Sequence, residues 1–182
     1  MSSQSPAIKT LLKLISIDSP SGEEQKVAEY IMEYLQDIDI PAEQDAYGNV
    51  IARVPGKGEP FILEAHMDTV EPGRNIKPQI KEDWITPEGE TILGADDKAG
   101  ISLILETVRK LKEHQASHRP LELIFTREEE QGGNGASNLD FSKIQAQEGV
   151  SIDGDAPPGN ITMAAPFIYL LDINIKGKAA HG

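Results

Sequence analysis

The stretch TILGADDKAGISLILETVRKL, residues 91–111, decides the architecture: an apolar run stops at two adjacent aspartates, and a helical pattern starts directly after them. From Lys98 onward, Ile101, Ile104, Leu105, Val108 and Leu111 recur at three- and four-residue steps and so share one face of a predicted α-helix. Asp96 and Asp97 repel each other, and neither has an apolar role. Alone, such a pair reads equally well as a helix cap with dipole compensation or as part of a site.

Outward from this stretch the chain alternates between the two regular structures. In SPSGEEQKVAEYIMEYLQDI, residues 19–38, Ser21 is a candidate N-cap with Glu24 three positions later, the pattern of a capping box, and Val27, Ala28, Ile31, Met32 and Leu35 follow at helical spacing. YGNVIARV (47–54) and PFILEAHMD (60–68) read as strands joined by the turn PGKGEP. IKPQIKEDWITPEGETILG (76–94) reads as short strands around a Pro-Glu-Gly turn. LELIFT (121–126), GVSID (149–153) and FIYLLDINIKG (167–177) complete the strand candidates. There is no internal repeat. Strands interleaved with amphipathic helices predict an α/β layered sheet, and in such sheets ligands sit beyond the carboxyl ends of the strands.

Composition narrows the function classes. The chain has 182 residues, 30 acidic against 17 basic, for a net charge of −13. This balance argues against nucleic acid and anionic membrane surfaces as partners. There is no cysteine, so a metal site would be built from histidine and carboxylates. No segment approaches the ~18 apolar residues of a membrane span, and a cytoplasmic setting is expected.

The polar residues gather where the apolar runs end. FILEAHMD ends in His66 and Asp68, which face the same way in an extended segment; a metal-bound imidazole commonly gives its other N–H to such a carboxylate. LELIFTREEE ends in Glu128, Glu129 and Glu130, GVSIDGD in Asp153 and Asp155, and TIL precedes Asp96 and Asp97. Singly, REEEQ is a solvated face and His-x-Asp a surface turn. Together, carboxylates converging on one crevice repel strongly without a cation, and their excess over histidine suits two metal ions sharing one aspartate. His114 and His118, four apart, could nominally hold zinc but follow the apolar stripe and read as exposed. Trp84 and Met163 read as packing residues.

EAHMDTVEPG, GADDKAG, REEEQGGNGA, SIDGDAPPGNI and IKGKAAHG, in this order, resemble the dinuclear-zinc exopeptidases of the peptidase T and carboxypeptidase-G type, with the peptidase T-like tripeptidases closest. The resemblance runs from about residue 10 to the last. It implies a three-layer α/β/α mixed sheet and hydrolysis of the N-terminal peptide bond of short peptides with two Zn2+ ions, Mn2+ or Co2+ being alternatives. Carried over by motif, His66, Asp96, Glu130 and Asp153 would be metal ligands, with Asp96 shared and the Asp96–Asp97 peptide cis. One ion would have His66, Asp96 and Asp153, the other Asp96 and Glu130. Asp68 would orient His66, Glu129 would be the general base, and His181 would contact substrate from a lid. The family's remaining ligand is a histidine beyond that lid. The resemblance therefore implies that residues 1–165 are the N-terminal part of a catalytic domain and 166–182 the start of a lid through which the intact protein would form a homodimer. A deacylase acting on N-acyl amino acids and a non-catalytic divalent-metal-binding α/β module stay open as alternatives.

Overall fold

A computed structural model describes residues 5–154, 156–157, 159–164, 171 and 173–178. The two helices α1 (Pro6–Ile15) and α2 (Gln25–Asp37) lead into the strands β1 (Ala42–Gln44), β2 (Val50–Val54) and β3 (Phe61–His66). A hairpin of β4 (Pro78–Lys81) and β5 (Trp84–Pro87) precedes α3 (Lys98–Glu113) and β6 (Leu121–Thr126). A 3-10 turn (Glu129–Gln131), the short helix α4 (Asn134–Ser137), a second 3-10 turn (Phe141–Lys143) and β7 (Gly149–Ser151) follow.

Five strands form one mixed sheet in the order β1-β2-β6-β3-β7. β6, β3 and β7 are parallel neighbours, and β2 is antiparallel to both of its neighbours, β1 and β6. Alternation along the strands divides the side chains between two layers. Val50, Ala52, Val54, Ala65, Leu121, Leu123 and Phe125 pack into one core with Leu14, Val27, Ile31, Leu35, Ile101, Ile104, Leu105 and Val108 from α1, α2 and α3. The opposite face carries Ile62, Glu64, His66, Ile124 and Thr126, against which the 133–144 segment lies. The expected three-layer mixed α/β arrangement is thus present, with long helices on one face and short helical turns on the other.

Several local expectations change. Ser21 does not cap α2: Glu24 holds the N-cap position without a side-chain cap bond, because the Ser21 hydroxyl is donated to Asp68 and the Glu24 carboxylate is drawn inward to Arg127. The hairpin turn falls at Glu82 and Asp83, with Glu82 left-handed at φ 55°, and Pro-Glu-Gly lies after it. TIL is not a strand but a loop into α3. Trp84 is 74% and Met163 87% exposed, so neither packs among the described residues; Trp84 opens one strand of a two-stranded hairpin. Of the expected 167–177 strand, residues 171 and 173–177 are described and none of them is in a strand; residues 167–170 and 172, like Asp155 and His181, lie outside the described residues.

Candidate active site

The three parallel strands all deliver polar residues at one edge, the edge where their carboxyl ends lie. β3 brings His66, and the chain just beyond it brings Asp68. His66 Nδ1 lies 3.3 Å from Asp68 Oδ1, an ion pair when the ring is protonated, without the geometry of a hydrogen bond. Both side chains are buried. On the other side of the ring, Nε2 lies 3.0 Å from Asp96 Oδ1. Asp96 comes from the loop before α3, across a cis Asp96–Asp97 peptide, as the resemblance implied. Asp97 turns the other way, accepting from the Gly100 N–H at 3.0 Å to cap α3.

Glu129 and Glu130 follow β6. The corner is set by Glu128 in the left-handed region at φ 50°, after which the chain enters its 3-10 turn. Asp68 accepts the Glu129 N–H at 2.9 Å and the Glu130 N–H at 3.2 Å, so one buried carboxylate holds the histidine and the backbone under both glutamates. Asp153, beyond β7, closes the far side.

Two clusters result. His66, Asp96 and Glu130 offer ligand atoms within 4.8 Å of one another, and so do His66, Glu129 and Asp153. The resemblance implied a grouping of Asp153 with Asp96 and set Glu129 apart as the base. In the structure Glu129 groups with Asp153 and Glu130 with Asp96, and His66 belongs to both groups. His114 and His118 enter neither cluster; His114 ends α3 at its exposed C-cap.

The electrostatics suit a cation. Burial opposes charge on His66, but Asp68 first and then Asp96 outweigh it and push its pKa up to about 10. An imidazole that holds a proton so firmly sits in a field that would equally hold a metal ion. Burial likewise raises Glu129 and Glu130 above the ordinary carboxylate range, against the pull of His66. Asp68 is held below its usual value: burial would raise it, but His66, Ser21 and the Glu129 N–H prevail. One imidazole among carboxylates is a donor set fit for a divalent ion such as zinc. An open, largely apolar cavity of about 370 Å³, lined in part by Ile62, Ile124, Leu139 and Phe141, adjoins Glu129 and Asp153.

Sequence reading missed Ser21, whose hydroxyl donates to Asp68 Oδ2 at 2.6 Å, and Glu24, which accepts the Glu128 N–H at 3.1 Å. Their spacing matched a helix cap, and nothing local distinguished that from a long-range contact.

Comparison with known proteins agrees with this fold. The chain is 35% identical over 184 residues to the uncharacterized protein YqjE of Bacillus subtilis, covering 96% of this chain and 50% of that protein. It is 36% identical over 128 residues to peptidase T of Fusobacterium nucleatum, covering 68% of this chain and 31% of the relative. The crystal structure of the aminopeptidase PepT from Bacillus cereus superposes with a TM-score of 0.80 at 34% identity, over 84% of this chain and 44% of that one. The chain thus spans half or less of the length of these relatives. Among the described residues, no helix is long and apolar enough to cross a membrane. The profile of peptidase family M28 matches residues 49–153, from the start of β2 to Asp153, and this chain belongs to that family.

Proposed function

We propose that this chain carries the N-terminal part of the active site of a metal-dependent exopeptidase that removes the N-terminal residue from short peptides, as the peptidase T-like tripeptidases do. The supporting observation is the convergence of His66 with Asp96 and Glu130 in one group and with Glu129 and Asp153 in another, at the carboxyl ends of three parallel strands. His66, Asp96, Glu130 and Asp153 would hold two zinc ions, or Mn2+ or Co2+, with Asp96 shared. Bound there, the metal would polarise the scissile carbonyl and acidify a water. Asp68 fixes the tautomer and direction of His66. Glu129, raised by partial burial, accepts the proton of the attacking water and returns it to the leaving amine. The acidic rim suits a substrate's free α-ammonium, which favours an aminopeptidase. The inferred setting is cytoplasmic, and in the full-length protein a homodimer with His181 at a lid is part of the same reading.

Glu129→Gln in the full-length protein tests the assignment. Tripeptide hydrolysis should fall by roughly 10²–10⁴-fold while zinc content, measured by elemental analysis, stays at the wild-type value. Loss of zinc together with activity would make Glu129 a ligand rather than the base. Hydrolysis of N-acyl amino acids but not tripeptides would assign the site to a deacylase.

A further inference from the structure

The loop before α2, residues 19–24, has no part in the chemistry above, yet it touches both strand ends that carry the site. On the β3 side, Ser19 O accepts the Thr69 N–H at 2.9 Å, and the Ser21 hydroxyl donates to Asp68 Oδ2 at 2.6 Å. On the β6 side, Gly22 O accepts from Arg127 Nη2 at 2.9 Å. Glu24 is fully buried. Its Oε2 accepts from Arg127 Nε at 2.7 Å, and its Oε1 accepts the N–H groups of Gly22 at 2.8 Å and Glu128 at 3.1 Å.

The backbone of Glu128, Glu129 and Glu130 thus ends on two buried carboxylates: Glu24 takes the first N–H, Asp68 the next two. Glu128 occupies a left-handed conformation that non-glycine residues avoid. Its side chain is tied off by the Tyr47 hydroxyl at 2.7 Å and Asn134 Nδ2 at 3.1 Å. Buried charge-assisted bonds of this kind are what can hold such a corner. The direction in which the Glu129 and Glu130 carboxylates leave the backbone follows from it.

We propose that Ser21 and Glu24 are positioning residues for this site: through Asp68 and the Glu128–Glu130 backbone they fix where the Glu129 and Glu130 carboxylates stand relative to His66. This rests on the metallopeptidase reading. Neither residue belongs to a ligand cluster, so their effect is transmitted, not direct. Arg127 completes the device by holding the Glu24 carboxylate in its inward position.

The experiment compares Ser21→Ala, Ser21→Thr, Glu24→Gln and Glu23→Gln in the full-length protein, with Co2+ as the probe. Glu23 is in the same loop but pairs with Arg74 at the surface, and serves as the control. In Ser21→Ala and Glu24→Gln, circular dichroism should be unchanged, Co2+ affinity should fall about 10–100-fold with altered visible absorption bands, and kcat should fall by a similar factor while KM holds. Ser21→Thr, which keeps the hydroxyl, should recover most of the loss, and Glu23→Gln should match wild type. Folded Ser21→Ala and Glu24→Gln proteins with wild-type Co2+ affinity and bands would overturn the proposal. Should Glu24→Gln not fold, the Ser21 pair decides, since Ser21→Ala removes one atom from a loop. A wild-type protein that binds Co2+ but cleaves no peptide would refute the peptidase reading while the metal readout still judges the positioning; one that binds no Co2+ refutes both.

Discussion

Lys98 is fully buried where α3 begins, and its ammonium donates to Ile17 O at 2.6 Å. Burial lowers its pKa to about 8, against a smaller upward pull from Asp18. The unfolded chain holds the same proton up to about pH 10.4. Between those two values the unfolded state binds more protons, so stability rises with pH. In chelator-treated protein, the unfolding free energy of wild type relative to Lys98→Met should therefore increase by roughly 1–2 kcal/mol between pH 8 and pH 9.5. Denaturant titrations of both proteins at the two pH values measure this. A difference that does not change with pH would mean that the ammonium is as well solvated folded as unfolded. Asp97, beside it, is pushed by burial up to about 8, which works in the opposite direction below pH 8; comparing two proteins that both retain Asp97 cancels it.

At the scale of elements, the start of α3 joins the site to the core. Gly100 lies in its first turn, where glycine ordinarily costs stability and alanine adds about 1 kcal/mol. Here a Cβ would press on the Asp97 carboxylate and come within 2.7 Å of Ile152 O, just past β7. Gly100→Ala should therefore destabilise by about 1–3 kcal/mol, seen as a lower melting temperature; a higher one would show that α3 can slide away from β7. The same junction shows what a linear sequence reveals. The α3 stripe was legible because its periodicity is local, and LELIFT because a short run dominated by Leu, Ile and Phe suits a strand covered on both faces. His66, Asp96, Glu129, Glu130 and Asp153 were legible as strand and loop ends sharing one chemistry. Ser21 and Glu24 were not, since their partners Asp68 and Arg127 are 47 and 103 positions away, and a local capping pattern competed for the same residues. Trp84 misled for a related reason: a large aromatic side chain reads as core, but here it opens one strand of a two-stranded hairpin and stays 74% exposed.

Across the whole molecule, the sheet order decides where charge accumulates. β6, β3 and β7 are parallel and adjacent, so three strand ends place His66, Asp68, Glu129, Glu130 and Asp153 together in a chain whose net charge is already −13. Like charges so close cost free energy, and part of that cost is offset by a proton held on His66. A divalent ion would offset more of it, and an ion that binds the folded state alone must stabilise that state. At a free concentration a hundred times its dissociation constant the gain is about 2.7 kcal/mol, or roughly 5–10 °C for a chain of this size. Zinc added to chelator-treated protein should thus raise the melting temperature by about that amount, whereas Mg2+ should do little because it dehydrates reluctantly and prefers octahedral oxygen sites. Asp96→Ala should lose most of the zinc effect. The Asp96 side chain is 70% exposed, so its removal barely alters packing, and the metal-free melting temperature should stay near wild type or rise slightly as repulsion is relieved. An equal zinc shift in wild type and Asp96→Ala would place the ion elsewhere, and no shift in wild type would mean that the converging carboxylates are balanced without a metal.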